Sequence, residues 1–173
     1  MEAEFSRVYD RRNLPARPVV LEANEAERTA LARRFGLVAI HGLRAEITLD
    51  AAGESINANG LLEAEVVQSC AVSGDDLAVT IAEPLALVFV PAAPAPTAEE
   101  EIELEEHELD EIAYEGTAFD LGEAVAQSLA LAIDPFATGP NAEAARRDAG
   151  LADEDRSGPL AAGLAALKGL TRE

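Results

Sequence analysis

Chemistry in this chain has to come from few groups. It holds one cysteine, Cys70, and two histidines, His41 and His107, beside 33 acidic residues. One thiol and two imidazoles fall short of the four soft or imidazole ligands of a tetrahedral zinc site, and a single thiol excludes an internal disulfide. Free cysteine is among the most buried residue types, so Cys70 is expected to be a buried or half-buried structural residue. Nucleophilic catalysis needs a nucleophile, a base and an orienting group. His41 closes an apolar strand and reads as a turn or core-edge residue, while His107 sits among carboxylates and reads as exposed. Neither adjoins a Ser or Cys in sequence. The glycine patterns that cradle phosphates, Gly-x-Gly-x-x-Gly and Gly-Lys-Ser/Thr, are missing. No catalytic residue, cofactor or metal is therefore expected.

The densest group of chemically active side chains is acidic: Glu99, Glu100, Glu101, Glu103, Glu105, Glu106, Glu108, Asp110 and Glu111. The run lacks the Asp-x-Asp-x-Asp-Gly spacing of a calcium loop. It reads first as a solvated loop and second as a docking surface for a basic protein, which makes these nine residues the candidate partner-binding set. The whole chain points the same way. Lys and Arg number 13 against 33 Asp and Glu, a formal charge of −20. Nucleic acids are held mainly by Lys and Arg on phosphates, so the long-range field repels RNA and favours basic proteins or cations. The basic doublets are Arg11-Arg12, Arg33-Arg34 and Arg146-Arg147. Direct RNA binding would require Arg11, Arg12, Arg33, Arg34 and Arg44 to share one face, and it is not expected.

The elements that must position these groups can be read from period and punctuation. Val19-Val20-Leu21 follows two prolines and suits an edge strand. Asn24 and Glu27 form a capping box, and Gly36 stands at a left-handed stop, so a helix is expected near 25–35. From Leu37 the period becomes two. Leu37–Ile40, Leu43–Leu49, Leu62–Gln68, Leu77–Ile81 and Leu85–Val90 read as short strands. Turns are expected at Asp50–Gly53, Asn59-Gly60 and Ser73–Asp76. After the Pro-rich 91–97 linker and the acidic run, Asp120 caps a helix near 120–133. Glu123 is placed to complete its capping box, Leu121, Val125 and Leu129 repeat on one face, and Asp134-Pro135 ends it.

The fold class expected is α+β: an antiparallel β-meander of about four to six strands, covered by helices near 25–35 and 120–133. Residues 1–137 read as a single α+β domain with a mobile acidic loop at about 91–111. Residues 138–173 read as a flexible tail, with a short helix near 142–149 and a C-terminal amphipathic helix carrying Leu160, Leu164 and Leu167. Apolar residues make up 49% of the chain but aromatics only 4%, so the core should be aliphatic. The acidic start Met1–Phe5 does not read as a secretory signal, no apolar run reaches a membrane span, and the lone thiol suits a reducing compartment. The expected location is cytoplasmic.

Several stretches, in order, carry a resemblance. They are Phe5-Ser6-Arg7 with Leu14-Pro15; Arg34-Phe35-Gly36-Leu37; Val66–Val72; Phe89-Val90-Pro91; Asp120–Leu131; Asp134-Pro135-Phe136; and Pro159-Leu160 through Leu167-Lys168. On these the chain resembles the bacterial YceD family of large ribosomal RNA subunit accumulation proteins, in its alphaproteobacterial form. The resemblance implies a role in accumulation of 23S rRNA. It supplies no catalytic residues. The family often carries Cys-x-Arg-Cys with further Cys or His after the long helix, whereas here Cys70-Ala71-Val72-Ser73 keeps only the first cysteine. Charge and resemblance together lead to a non-enzymatic ribosome-assembly factor that contacts a basic ribosomal or rRNA-processing protein, with a precursor large-subunit particle as a further partner. The alternatives are a metal-dependent hydrolase or nuclease acting on precursor rRNA, which needs carboxylates gathered around a cation, and a direct RNA-binding module.

Overall fold

The computed structural model describes residues 3–92 and 111–150. The chain divides into two compact units, one of Met1–Ser69 with Asp76–Pro135, the other of Cys70–Asp75 with Phe136–Glu173.

The first unit is built on a five-stranded sheet. Its elements are β1 (Val8–Asp10), β2 (Val19–Glu22), α1 (Glu25–Phe35), β3 (Ala39–Ala52), β4 (Ser55–Ser69), β5 (Asp76–Pro91), β6 (Glu111–Tyr114), β7 (Ala118–Asp120) and α2 (Leu121–Ala132). The sheet runs β2-β3-β4-β5-β6, and β1 pairs with β7 in a separate two-stranded ribbon. Every pairing is antiparallel except β5 with β6. The result is an α+β fold with a meander at its centre, as the periodicity predicts.

The strands are longer than the sequence suggests, and each merger has a physical reason. Leu37–Ile40 and Leu43–Leu49 belong to one strand, β3, because a bulge at His41 absorbs the break: the register slips between Ile40 and Gly42, as an extra residue requires. Asn59-Gly60 is not a turn. It lies inside β4, opposite Thr48 and Ile47, and the hairpin closes earlier through Gly53-Glu54, with Ala52 paired to Ser55 and Gly53 at φ +68°. Gly60 serves a close approach instead, since a Cβ there would land on the carbonyl oxygen of Glu46. Likewise Leu77–Ile81 and Leu85–Val90 run as one strand, β5, straight through Pro84.

Inward-facing residues alternate along the sheet: Leu43, Ala45, Ile47 and Leu49 on β3, then Ile56, Ala58, Leu62, Ala64 and Val66 on β4, all buried. Burial of such aliphatic area is the main favourable term holding the layers together. Gln68, a buried polar residue in the same row, donates from Nε2 to the Asp134 carbonyl at 2.7 Å, so its burial is matched by a partner. The helices fall where the caps place them. Asn24 and Glu27 make the reciprocal box and Gly36 adopts φ +67°. Helix α2 buries Leu121, Val125 and Leu129, the stripe read from the sequence. Ahead of α2 the chain forms two short strands that the sequence did not signal, β6 and β7, joined at Gly116 (φ +66°).

In the second unit, α3 (Ala142–Asp148) follows a short coil. The coil is held to the Cys70–Asp75 turn by Ala71 N donating to the Ala137 carbonyl and by Asn141 Nδ2 donating to Asp75. The expected C-terminal helix with Leu160, Leu164 and Leu167 lies outside the described residues, as does the Pro-rich linker beyond Ala92.

Candidate protein-docking face

Asp120 is the hinge of the local architecture around α2. As the last residue of β7 it is paired with Val8. Its Oδ1 accepts the amides of Glu123 (3.1 Å) and Arg7 (2.8 Å), and its Oδ2 accepts the Ser6 hydroxyl. The helix start and the N-terminal segment are thus tied to one carboxylate. Glu123 does not close the expected capping box. Its carboxylate is taken by Arg34, which forks onto it, and by Gln127. Arg7 forks in the same way onto Glu27 at 2.8 and 3.0 Å. Hydrogen bonding from the arginines holds the Glu27 and Glu123 carboxyls below the usual glutamate range, and raises both guanidiniums above theirs. These paired groups bolt α1, α2 and the N-terminal segment together.

On the far side of α2 the surface is different. A groove of about 690 Å³ runs between the helix and the Glu83–Leu87 stretch of β5. Leu85 and Ala124 are buried in its floor, while Leu131 on its rim is 88% exposed. Glu83 and Glu111 line it, and among the described residues no Lys or Arg does. A second, smaller hollow shares Ile112, Ala124 and Gln127 with it and adds Glu115. Glu83, Glu111 and Glu115 make no ion pair among the described residues. The groove therefore sets an apolar stretch, Leu85 and Leu131, beside polar and acidic side chains, Glu83, Glu111, Gln127 and Ser128.

Of the nine acidic residues singled out in the sequence, Glu99, Glu100, Glu101, Glu103, Glu105, Glu106, Glu108 and Asp110 lie outside the described residues. Glu111 opens β6, exposed, at the edge of this groove. Glu83 carries no sequence signal, because its place on the groove depends on how α2 lies beside β5. Four of the five arginines singled out in the sequence are paired with carboxylates: Arg11 with Glu54, Arg12 with Asp10, Arg34 with Glu4 and Glu123, and Arg44 with Glu22, Glu46 and Glu63. Arg33 makes no ion pair among the described residues.

A model of the family described as large ribosomal RNA subunit accumulation protein YceD matches residues 58–170. The chain belongs to the YceD family. No curated protein matches it, and no solved structure does. Membership supports a role in the accumulation of large-subunit ribosomal RNA, and places this YceD chain among ribosome-biogenesis factors rather than in a known enzyme family.

The Cys70 turn is where the resemblance would look for a metal. In this YceD chain Cys70 is buried and its Sγ accepts the amides of Ser73 and Gly139, each at 3.3 Å. The Ser73 hydroxyl, shared between the thiol and Asp75, together with the Gly139, Ser73 and Val72 amides, pulls the thiol pKa down to about 6. The neighbours are a hydroxyl, a carboxylate and the Asn141 amide, not soft ligands. This donor set does not fit tetrahedral zinc. Among the described residues no group of three His, Cys, Asp or Glu is placed to hold a metal ion. The turn is held by hydrogen bonds to sulfur. His41, at the β3 bulge, is exposed.

Proposed function

We propose that this YceD chain is a non-enzymatic, cytoplasmic factor in large ribosomal subunit biogenesis, supporting 23S rRNA accumulation through contact with a basic ribosomal or rRNA-processing protein. The 99–111 run, which ends at Glu111 on the groove, is its docking element. The observation that carries the reading is electrostatic. A net charge of −20 is joined to arginines of which Arg7, Arg11, Arg12, Arg34, Arg44 and Arg146 are already paired with neighbouring carboxylates. Such a surface attracts basic proteins and repels phosphate. Family membership supplies the process. Among the described residues no helix is long and apolar enough to cross a membrane.

The test has two arms. Depletion of the chain is expected to lower 23S rRNA relative to small-subunit rRNA, and tagged chain is expected to recover an identified large-subunit protein or precursor particle. Recovery of neither, or turnover of precursor rRNA by the purified chain, would reject the reading.

A further inference from the structure

Among the described residues, strand β5 is paired along its full length on one side only. On one side it pairs with β4 from Asp76 to Phe89 with no register break; on the other, β6 covers Val88–Pro91 alone. The Ala92 amide donates to the Tyr114 carbonyl, which fixes the parity of the strand. Stepping by two along extended backbone, the polar groups of Val90, Val88, Ala86, Pro84, Ala82, Thr80 and Ala78 face the β6 side. From Ala78 to Ala86 that side has no strand partner among the described residues. Pro84 falls in this set, so its missing N–H removes no bond to β4, and this explains how a proline sits inside a sixteen-residue strand. The open edge runs directly into the groove beneath α2.

We propose that this edge accepts an extended basic segment of a partner protein as an added strand, with Lys or Arg side chains against Glu83 and Glu111 and an aliphatic side chain under α2 beside Leu131. It rests on the reading that the partner is basic, and specifies how such a partner is held. Main-chain bonds supply the affinity in this mode and pockets for alternate side chains supply the selectivity. Charge decides between occupants. The chain's own residues just before Glu111 are the acidic run, and laid on this edge they would set like charges beside Glu83 and Glu111, an unfavourable cross-strand arrangement. A second copy brings its own net −20. A basic strand is matched on every count.

The experiment uses the full chain. The probe is a fluorescein-labelled peptide of about nine residues alternating Lys or Arg with Val, long enough to follow the edge at roughly 3.3 Å per residue. A control peptide carries Glu in place of the cations. Amide exchange at Ala78, Thr80, Ala82 and Ala86 is followed by NMR. The basic peptide is expected to bind, to weaken as salt rises, and to slow exchange at those alternate amides, while the acidic control does not bind. Ala86→Pro removes an outward N–H but no β4 bond, and should weaken binding by about tenfold or more with an unchanged circular dichroism spectrum. Ala82→Pro provides the same test should Ala86→Pro fail to fold. The proposal is overturned by edge amides already protected in the free chain, which would mean its own residues cover the edge; by a dimer that Ala86→Pro dissociates; or by peptide binding that leaves these amides unchanged. Loss of peptide binding with capture of large-subunit proteins intact would sink this mode and spare the functional reading. The reverse pattern would sink the functional reading.

Discussion

The guanidinium of Arg34 forks onto the carboxylate of Glu123, Nη1 at 3.0 Å from Oε2 and Nη2 at 2.7 Å from Oε1, fastening the end of α1 to the first turn of α2. The hydrogen bond from Arg34 depresses the Glu123 pKa. Because the folded value is the lower one, the stabilisation is complete above the ordinary glutamate pKa and is lost as pH falls through the folded value. Glu123→Gln should cost about 1 kcal/mol at neutral pH, a modest figure because both side chains are partly solvated. In urea unfolding the gap to the native chain should close in acid. A gap independent of pH would remove this account.

Gly122 reverses the usual helix rule. Alanine normally stabilises a helix over glycine by about 1 kcal/mol. Here a Cβ would stand 2.5 Å from the Phe5 carbonyl oxygen and 2.7 Å from the Arg7 amide nitrogen, where the N-terminal segment crosses α2. Gly122→Ala is therefore expected to destabilise, by about 1–3 kcal/mol. A thermal melt shifted upward would show that the crossing yields easily.

Phe119 joins the ribbon to the main sheet. Its ring lies 4.6 Å from that of Phe89 and 6.4 Å from that of Tyr114, and it is buried. Truncating such a residue leaves a cavity. Phe119→Ala should cost about 3–5 kcal/mol by denaturant unfolding, and Phe119→Leu clearly less. Equal costs would mean that ring stacking, not volume, is what Phe119 contributes.

At the Cys70 turn, ultraviolet thiolate absorbance should titrate with a midpoint near 6. Ser73→Ala removes the first of the donors and should move that midpoint upward. Since the folded pKa is the lower one, the turn's stabilisation is fully present above the ordinary thiol range and lost as pH falls through about 6. A midpoint in the ordinary thiol range for the native chain would remove the proposed role of the sulfur as acceptor.

The purified chain should hold large-subunit rRNA fragments no more tightly than roughly 10⁻⁴ M at physiological salt, the weak end of non-specific binding. Filter binding measures this. Tight, salt-sensitive binding would transfer the functional argument from protein contact to RNA contact.

What the sequence disclosed was local. The Asn24–Glu27 box, the Gly36 stop and the Leu121–Val125–Leu129 stripe each lie within a few turns of chain, and each stands where expected. What it concealed depends on distant backbone. Asn59-Gly60 looks like a turn until the register with Glu46 and Ile47 is known. Pro84 looks like a break until the β4–β5 register shows its missing N–H to face away from β4. Strands β1, β6 and β7 span three or four residues, too few to show a period. The acidic character of the docking face was plain in the run ending at Glu111. Its apolar half, Leu85 and Leu131, was not, because it exists only where α2 packs beside β5.

The parallel pairing of β5 with β6 has a consequence during synthesis. The meander β2–β5 joins neighbours in sequence and can zip from its own hairpin as it emerges, since nearby contacts close first. Its last helical cover, α2, is made only after another forty or so residues, a delay of seconds at roughly 5–20 residues per second. For that interval the newborn sheet stands half-clothed at the mouth of the ribosome that is making it.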